Sequence, residues 1–211
     1  MTSPRRLPRL MTPAEYLAFE EKARIRHEYV AGRVHAMSGG TQRHARIINN
    51  IFAALQRAAG GGPCEVFGGN LLVRADEEIF YYPDVFVACH GLDDDDAVFL
   101  TGPCVVVEVL SPSTRSVDRR DKLTNYRRIP TLRAYLIVEA TRQEVERHWR
   151  DDGGAWRSEI VTPESGGRVV VPCPEAVLTF DEIYRGVTVR PRLRRLKEPA
   201  PAAYVPTPAG A

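Results

Sequence analysis

The sequence predicts an α/β domain: a mixed β-sheet flanked by helices, with an N-terminal helix and a hairpin ahead of it. Three observations carry this. Residues 41–59 repeat apolar side chains at helical spacing. Residues 104–110 and 133–139 are near-continuous apolar runs of the kind found in strands buried on both faces. A helical stretch separates those two runs, giving the β-helix-β step of a parallel, right-handed crossover.

The elements follow in chain order. Residues 12–22 read as a short helix, with Thr12 as N-cap, Pro13 at the first helical position and Glu15 completing a capping box. HEYVAGRVHAMSG, residues 27–39, is two strand-like runs around Ala31-Gly32, a hairpin. In the next helix Ile47, Ile48, Ile51, Phe52, Leu55 and Ala59 share a face, and Gly60-Gly61-Gly62 ends it. Strands are expected at 65–74, 80–89 and 104–110, with the aspartates at 93–96 in a solvated loop. Residues 116–129 read as a helix stopped by Pro130, and 133–139 as a strand. Residues 144–149, 156–161 and 168–171 read as antiparallel strands, followed by a short helix near 180–185. The domain is expected over 12–190, and residues 191–211 as a basic, then Pro/Ala-rich, flexible tail.

Composition bounds the function. The 211 residues, 44% hydrophobic and 27% charged, suit one domain with a real core. A formal charge of +2 excludes a polycation, so nucleic-acid affinity must come from local patches. The N-terminus lacks an apolar signal region and no segment is long enough to cross a bilayer, so the expectation is a soluble, cytoplasmic protein with no membrane partner. Cys64, Cys89, Cys104 and Cys173 contain no Cys-x-x-Cys pair, and the expectation is neither a zinc ribbon nor a disulfide framework. The five histidines lack metal-ligand spacing.

Two acids stand out against this background. Glu108 sits inside VVVEVL and Asp84 inside YYPDVFVAC. Moving an ionised carboxylate into low dielectric costs on the order of 20 kcal/mol in the idealised limit, and several after relaxation, so each needs a partner. An arginine, or a strand end open to solvent, would serve either acid alone. Two acids on neighbouring strands suit a hard divalent ion such as Mg²⁺ or Mn²⁺. SVDRRDKLTNYRR then places Asp118, Lys122 and Tyr126 four apart, on one helix face that can point back at the end of the Glu108 strand. A surface pair between Asp118 and Lys122 is the other reading of that spacing.

Pro83-Asp84, Glu108 in EVLSPST, and Asp118, Lys122 and Tyr126 in DRRDKLTNY together resemble the signature of the Uma-two family, a bacterial group with a restriction-endonuclease-like fold. HEYVAGRVHAMSG, His44 and AYLIVE extend the resemblance over residues 12–185. It implies membership of the PD-(D/E)XK nuclease superfamily, in which an acid pair binds Mg²⁺ and a lysine assists phosphodiester hydrolysis. The usual lysine position, two residues after the second acid, holds Leu110 here. In the Uma-like pattern the lysine has moved to the next helix, which matches Lys122.

The resemblance therefore implies Asp84, Glu108 and the Val109 carbonyl as metal ligands and Lys122 as the catalytic cation. Glu28 is implied as a further ligand or water-orienting base, His44 as an accessory, and Asp118 and Tyr126 as groups orienting Lys122. The implied activity is that of a metal-dependent endonuclease, acting on DNA and working as a homodimer. The alternative is a nuclease-like fold without turnover that binds nucleic acid or dimerises. A third reading keeps the metal but hydrolyses RNA or a small phosphate ester. Six basic residues in 185–197 could track a phosphate backbone or form a solvated tail. Ser111, Ser113 and Thr114 could dock phosphate or cap a helix.

Overall fold

The computed structural model describes residues 10–111 and 118–189. The expectations for the tail at 191–211, for Ser113 and Thr114, for the helix start at 116–117 and for the Asp118 side chain lie outside the described residues.

Helix α1 (Pro13–Glu20) starts as its capping box requires: the Thr12 hydroxyl accepts from the Glu15 amide and the Glu15 carboxylate accepts from the Thr12 amide. Strands β1 (His27–Val30) and β2 (Arg33–Ala36) form the hairpin, turning at Ala31 and Gly32, both with left-handed φ of 45° and 84°. Helix α2 (Gln42–Ala59) is capped by Thr41 and ended by Gly60 in the left-handed region.

The next two predicted strands each break in two, and this is the main departure from the sequence reading. Residues 65–74 become β3 (Glu65–Gly68) and β4 (Leu72–Asp76), and residues 80–89 become β5 (Ile79–Tyr81) and β6 (Val85–Ala88). Pro83 has no N–H to give a ladder. Gly69 lies against it, where a side chain would stand 3.4 Å from the Pro83 carbonyl oxygen. The chain changes sheets at both breaks. One sheet has the order β2-β1-β5-β4-β7, with β7 at Phe99–Leu100.

The second sheet has the order β11-β10-β9-β8-β6-β3. It contains β8 (Pro103–Leu110), β9 (Ala134–Glu139), β10 (Val145–Arg150) and β11 (Trp156–Val161). As expected, β8 and β9 are parallel, and β10 and β11 antiparallel. Strand β12 (Arg168–Pro172) does not join β11 as expected but pairs with β13 (Glu175–Thr179), ahead of the short C-terminal helix at Phe180–Ile183.

The helix expected over 116–129 is shorter within the described residues. A π-helical turn, Asp118–Lys122, runs into α3 (Leu123–Tyr126). Its end tightens through Arg128 N–H to Asn125 O and Ile129 N–H to Tyr126 O, because the residue before Pro130 is barred from the helical region.

Alternation along β8 sorts the core. Val105, Val107 and Val109 meet Ile47, Ile51 and Leu55 of α2 on one face, each buried side chain contributing about 1.5–3 kcal/mol. Val106 and Leu110 meet Tyr126, Ile129 and Leu132 on the other. Glu108 shares that second face.

The cysteines overturn their expectation. Cys64–Cys89 and Cys104–Cys173 are disulfides, with Cα separations of 3.9 and 6.1 Å. The first follows from strand register: Glu65 pairs with Ala88, which sets Cys64 opposite Cys89. Its partners are 25 residues apart and the second pair's 69, so spacing along the chain concealed both.

Candidate active site

Strand β8 is buried along its whole length, and Glu108 is 4% exposed. Strand β6 runs antiparallel to it, with Val85 opposite Val107, so Asp84, just before β6, lies at the carboxyl end of β8. The Val109 amide donates to Asp84 Oδ2 at 2.7 Å, which ties the two acidic segments together.

Lys122 ends the π-helical turn, 4% exposed, and points at this strand end. Its Nζ donates to Glu108 Oε1 at 2.9 Å and stands 2.7 Å from Glu28 Oε1, in β1 of the other sheet. One ammonium thus joins acids from both sheets. Nζ also lies 5.2 Å from the centre of the Tyr81 ring. The Tyr81 hydroxyl accepts from Asn125 at 2.7 Å, and burial pushes its phenol up to about 12.

Tyr126, four residues after Lys122, donates its hydroxyl to Glu108 Oε1 at 3.2 Å. Burial, and then the Glu108 charge, hold that phenol well above its usual range. It remains a neutral donor.

His44, in the first turn of α2, comes from the opposite side of the sheet. Its Nε2 is 2.8 Å from the Val109 carbonyl oxygen and 3.5 Å from Asp84 Oδ2. The Nε2–H tautomer donates to Val109, so this carbonyl, expected as a metal ligand, already accepts one hydrogen bond. A second lone pair is left for an ion.

These groups line a cavity of about 660 Å³. Glu28, His44, Asp84, Glu108 and Lys122 are therefore brought together, and Tyr126 supports Glu108 from behind. The backbone of Asp118 opens the π-helical turn. Glu28 Oε1 is buried and, among the described residues, receives no aligned hydrogen bond beyond its ion contact with Lys122. A donor set of carboxylate and carbonyl oxygens gathered at one cavity fits a hard divalent cation.

Sequence reasoning missed His35, Tyr81, Asp121 and Asn125, which also line the cavity. His35 was within reach of it, since the hairpin register sets it opposite Glu28. Tyr81 and Asn125 carry no local signal.

The family described as "Putative restriction endonuclease", Uma-two, matches residues 13–180. Two uncharacterized proteins of Synechocystis sp. are similar to the chain. One is 35% identical over 178 residues, covering 84% of this chain and 93% of its own. The other is 30% identical over 151 residues, covering 70% and 85%. A crystal structure described as "a putative nuclease belonging to DUF820 from Anabaena variabilis" superposes with a TM-score of 0.70 at 16% identity, covering 82% of this chain and 97% of that one, a likeness of fold. With the family pattern matched across both sheets and two relatives aligned over most of their length, the chain belongs to the Uma-two family of restriction-endonuclease-like proteins.

Proposed function

We propose that the chain is a divalent-metal-dependent endonuclease that hydrolyses phosphodiester bonds, with DNA as its substrate. The observation that supports this most is the meeting of Glu28, Asp84, Glu108 and Lys122 at one cavity. Asp84, Glu108 and the Val109 carbonyl would hold Mg²⁺ or Mn²⁺, with Glu28 as a further ligand or the base that orients water. When bound, such an ion supplies polarisation of a phosphoryl oxygen and a more acidic water.

The remaining work belongs to the chain. Lys122, aimed by Glu108 and Glu28, sets positive charge against the phosphate as negative charge grows there in the transition state. Tyr126 keeps Glu108 oriented without competing for its proton. His44 fixes the Val109 carbonyl, and on the same reading Asp118 helps place Lys122. The protein would act in the cytoplasm as a homodimer, two sites facing two strands, which light scattering can check.

The test is cleavage of plasmid and single-stranded DNA, with RNA as a third arm, by the parent chain, Glu108→Gln, Asp84→Asn and Lys122→Ala. The expected result is metal-dependent cleavage of DNA by the parent and loss in all three variants. Mn²⁺ at a hundred times its dissociation constant should also stabilise the parent by about 2.7 kcal/mol, and neither carboxylate variant. If both variants respond to Mn²⁺ as the parent does, the metal assignment fails. A parent that gains stability with Mn²⁺ but cleaves nothing would favour the binding or dimerising module.

A further inference from the structure

A second cluster of metal-ligating side chains lies away from the acidic cavity. Cys64 precedes β3, Cys89 follows β6, Cys104 is the second residue of β8, and Cys173 occupies the turn between β12 and β13. Four segments distant in sequence deliver one sulfur each. The sulfurs also converge beyond their two covalent pairs. Cys89 Sγ is 3.1 Å from Cys173 Sγ and 3.5 Å from Cys104 Sγ, and Cys64 Sγ is 4.0 Å from Cys173 Sγ. Cys104 is 5% exposed, and the other three are half-buried. Sulfurs of Cys64, Cys89 and Cys173 lie close enough together to share one ion.

We propose that these four cysteines form a thiolate site for one thiophilic divalent ion of the zinc class, and that the two disulfides are its oxidised, metal-free form. Two staples that served only to tie loops would have no need to touch. Four thiolates around a tetrahedral ion at about 2.3 Å stand about 3.8 Å apart. Three of the four separations between the two pairs, 3.1 to 4.0 Å, bracket that value, and the fourth, Cys64 to Cys104, is longer than the 4.8 Å within which the other three sulfurs lie, so Cys104 must swing inward to complete the set. Once the S–S bonds are broken, opening each pair needs side-chain rotation and no change of sheet pairing. The donor set is all sulfur, which selects a soft or borderline ion and not the hard ion suited to the carboxylate cavity.

The position is separate from the acidic site. Cys104 precedes Glu108 by four residues on one extended strand, a distance of about 13 Å. The cluster fastens the β12–β13 hairpin to the amino end of β8, whereas the acids gather at its carboxyl end. Redox state would therefore exchange one fastening, two covalent bonds, for another, a metal centre.

The chemistry balances. Two equivalents of a dithiol reductant, each giving two electrons and two protons, turn two S–S bonds into four thiols. Binding one divalent ion displaces four protons as the thiolates form. Two equivalents of hydrogen peroxide, each reduced to two waters, take up four protons from solvent, return the four thiolates to two disulfides and release the ion.

The experiment uses the full chain, reduced with a dithiol under anaerobic conditions, freed of reductant, and titrated with Co²⁺ and then Zn²⁺. The expected result is the absorption of a tetrahedral thiolate site, corresponding to one Co²⁺ at the sulfurs per chain and bleached as Zn²⁺ replaces it there. Zn²⁺ should then shield the thiols from a thiol-reactive dye, and peroxide should release it. Cys64→Ser and Cys173→Ser should each weaken Co²⁺ binding at least tenfold, while Glu108→Gln leaves the spectrum unchanged, which separates this site from the acidic one. Four thiols that react freely with the dye in excess Zn²⁺, or a reduced parent that takes up no Co²⁺ at the sulfurs, would overturn the proposal whether or not the serine variants fold.

Discussion

Glu108 and Glu139 lie on neighbouring parallel strands, on the same face of the sheet, at 4% and 1% exposure, yet their partners differ in kind. One short turn serves both: Lys122 reaches Glu108, and Arg119, three residues earlier, reaches Glu139 at 3.1 Å. Glu139 receives a second guanidinium from Arg142 at 3.0 Å, and Arg142 also holds Glu144 at 2.6 Å. Arg119 continues to Glu146 at 3.0 Å, and His148 stands 2.8 Å from the same carboxylate. Around Glu139, acids and cations come in comparable numbers within a closed network. At Glu108, four carboxylates, those of Glu28, Asp84, Glu108 and Asp121, line an open cavity beside one ammonium among the described residues. A guanidinium presents a fork of donors that closes over carboxylates, whereas an ammonium is a point charge on a flexible stem. Burial of an acid therefore does not mark a site; the chemistry of its partners does.

The sharpest break of that comparison is to neutralise each acid in turn. Glu108→Gln should lower DNA cleavage by about a hundredfold or more while leaving the melting temperature nearly unchanged, since Lys122 keeps Glu28. Glu139→Gln should do the reverse, because it removes the buried charge that two partly exposed guanidiniums share: a loss of about 2–3 kcal/mol, read as a fall of roughly 5–10 °C in melting temperature. Equal behaviour of the two variants in both assays would dissolve the distinction.

Exchanging the cations is the next effect in size. Lys122→Arg should cut cleavage by roughly tenfold or more, since a planar fork cannot occupy the place of an ammonium between Glu28 and Glu108. Arg119→Lys should instead cost about 1–2 kcal/mol in a urea titration, because one ammonium cannot span Glu139 and Glu146.

Alkaline pH probes the buried phenols. Tyr81 and Tyr82 are pushed to about 12 by burial, and Tyr126 well above its usual range. Between pH about 10 and 12 the unfolded chain sheds phenolic protons that the folded chain keeps, so stability is full below pH 10 and falls as pH rises. Phenolate absorbance from these residues should appear together with the loss of circular dichroism. Absorbance that rises well before unfolding would show that they are open to solvent.

The smallest effect falls on the closed network. The hydrogen bond from His148, followed by that from Arg119, holds the Glu146 carboxyl below its ordinary value. Its contribution is present above the unfolded value near pH 4.3 and is lost as pH falls toward the folded one. The urea midpoint should decline across that interval, and Glu146→Gln should flatten the decline.

Several features were legible because they depend on near neighbours in the chain. The Thr12 and Glu15 cap, the Ala31-Gly32 turn and the apolar stripe of α2 each act within a few residues. The run around Glu108 announced a buried acid because no exposed strand reads VVVEVL. Lys122 was found through its helical spacing from Tyr126, and the structure seats both on Glu108. The breaks at Gly69 and Pro83 were legible only in part: both residues were visible, but neither shows that the chain changes sheets there.

Local propensity and hydrophobic period thus set the elements, their order and the acids that had to be answered. Which cation answers which acid, and which cysteine meets which, depended on strand register and sheet order. Glu139 closed by arginines, Glu108 open to a cavity, and four sulfurs gathered from positions 64 to 173 are results of contacts between segments far apart in sequence. Periodicity describes the direction a side chain takes from its own strand or helix; only the packed sheets bring the partner to it.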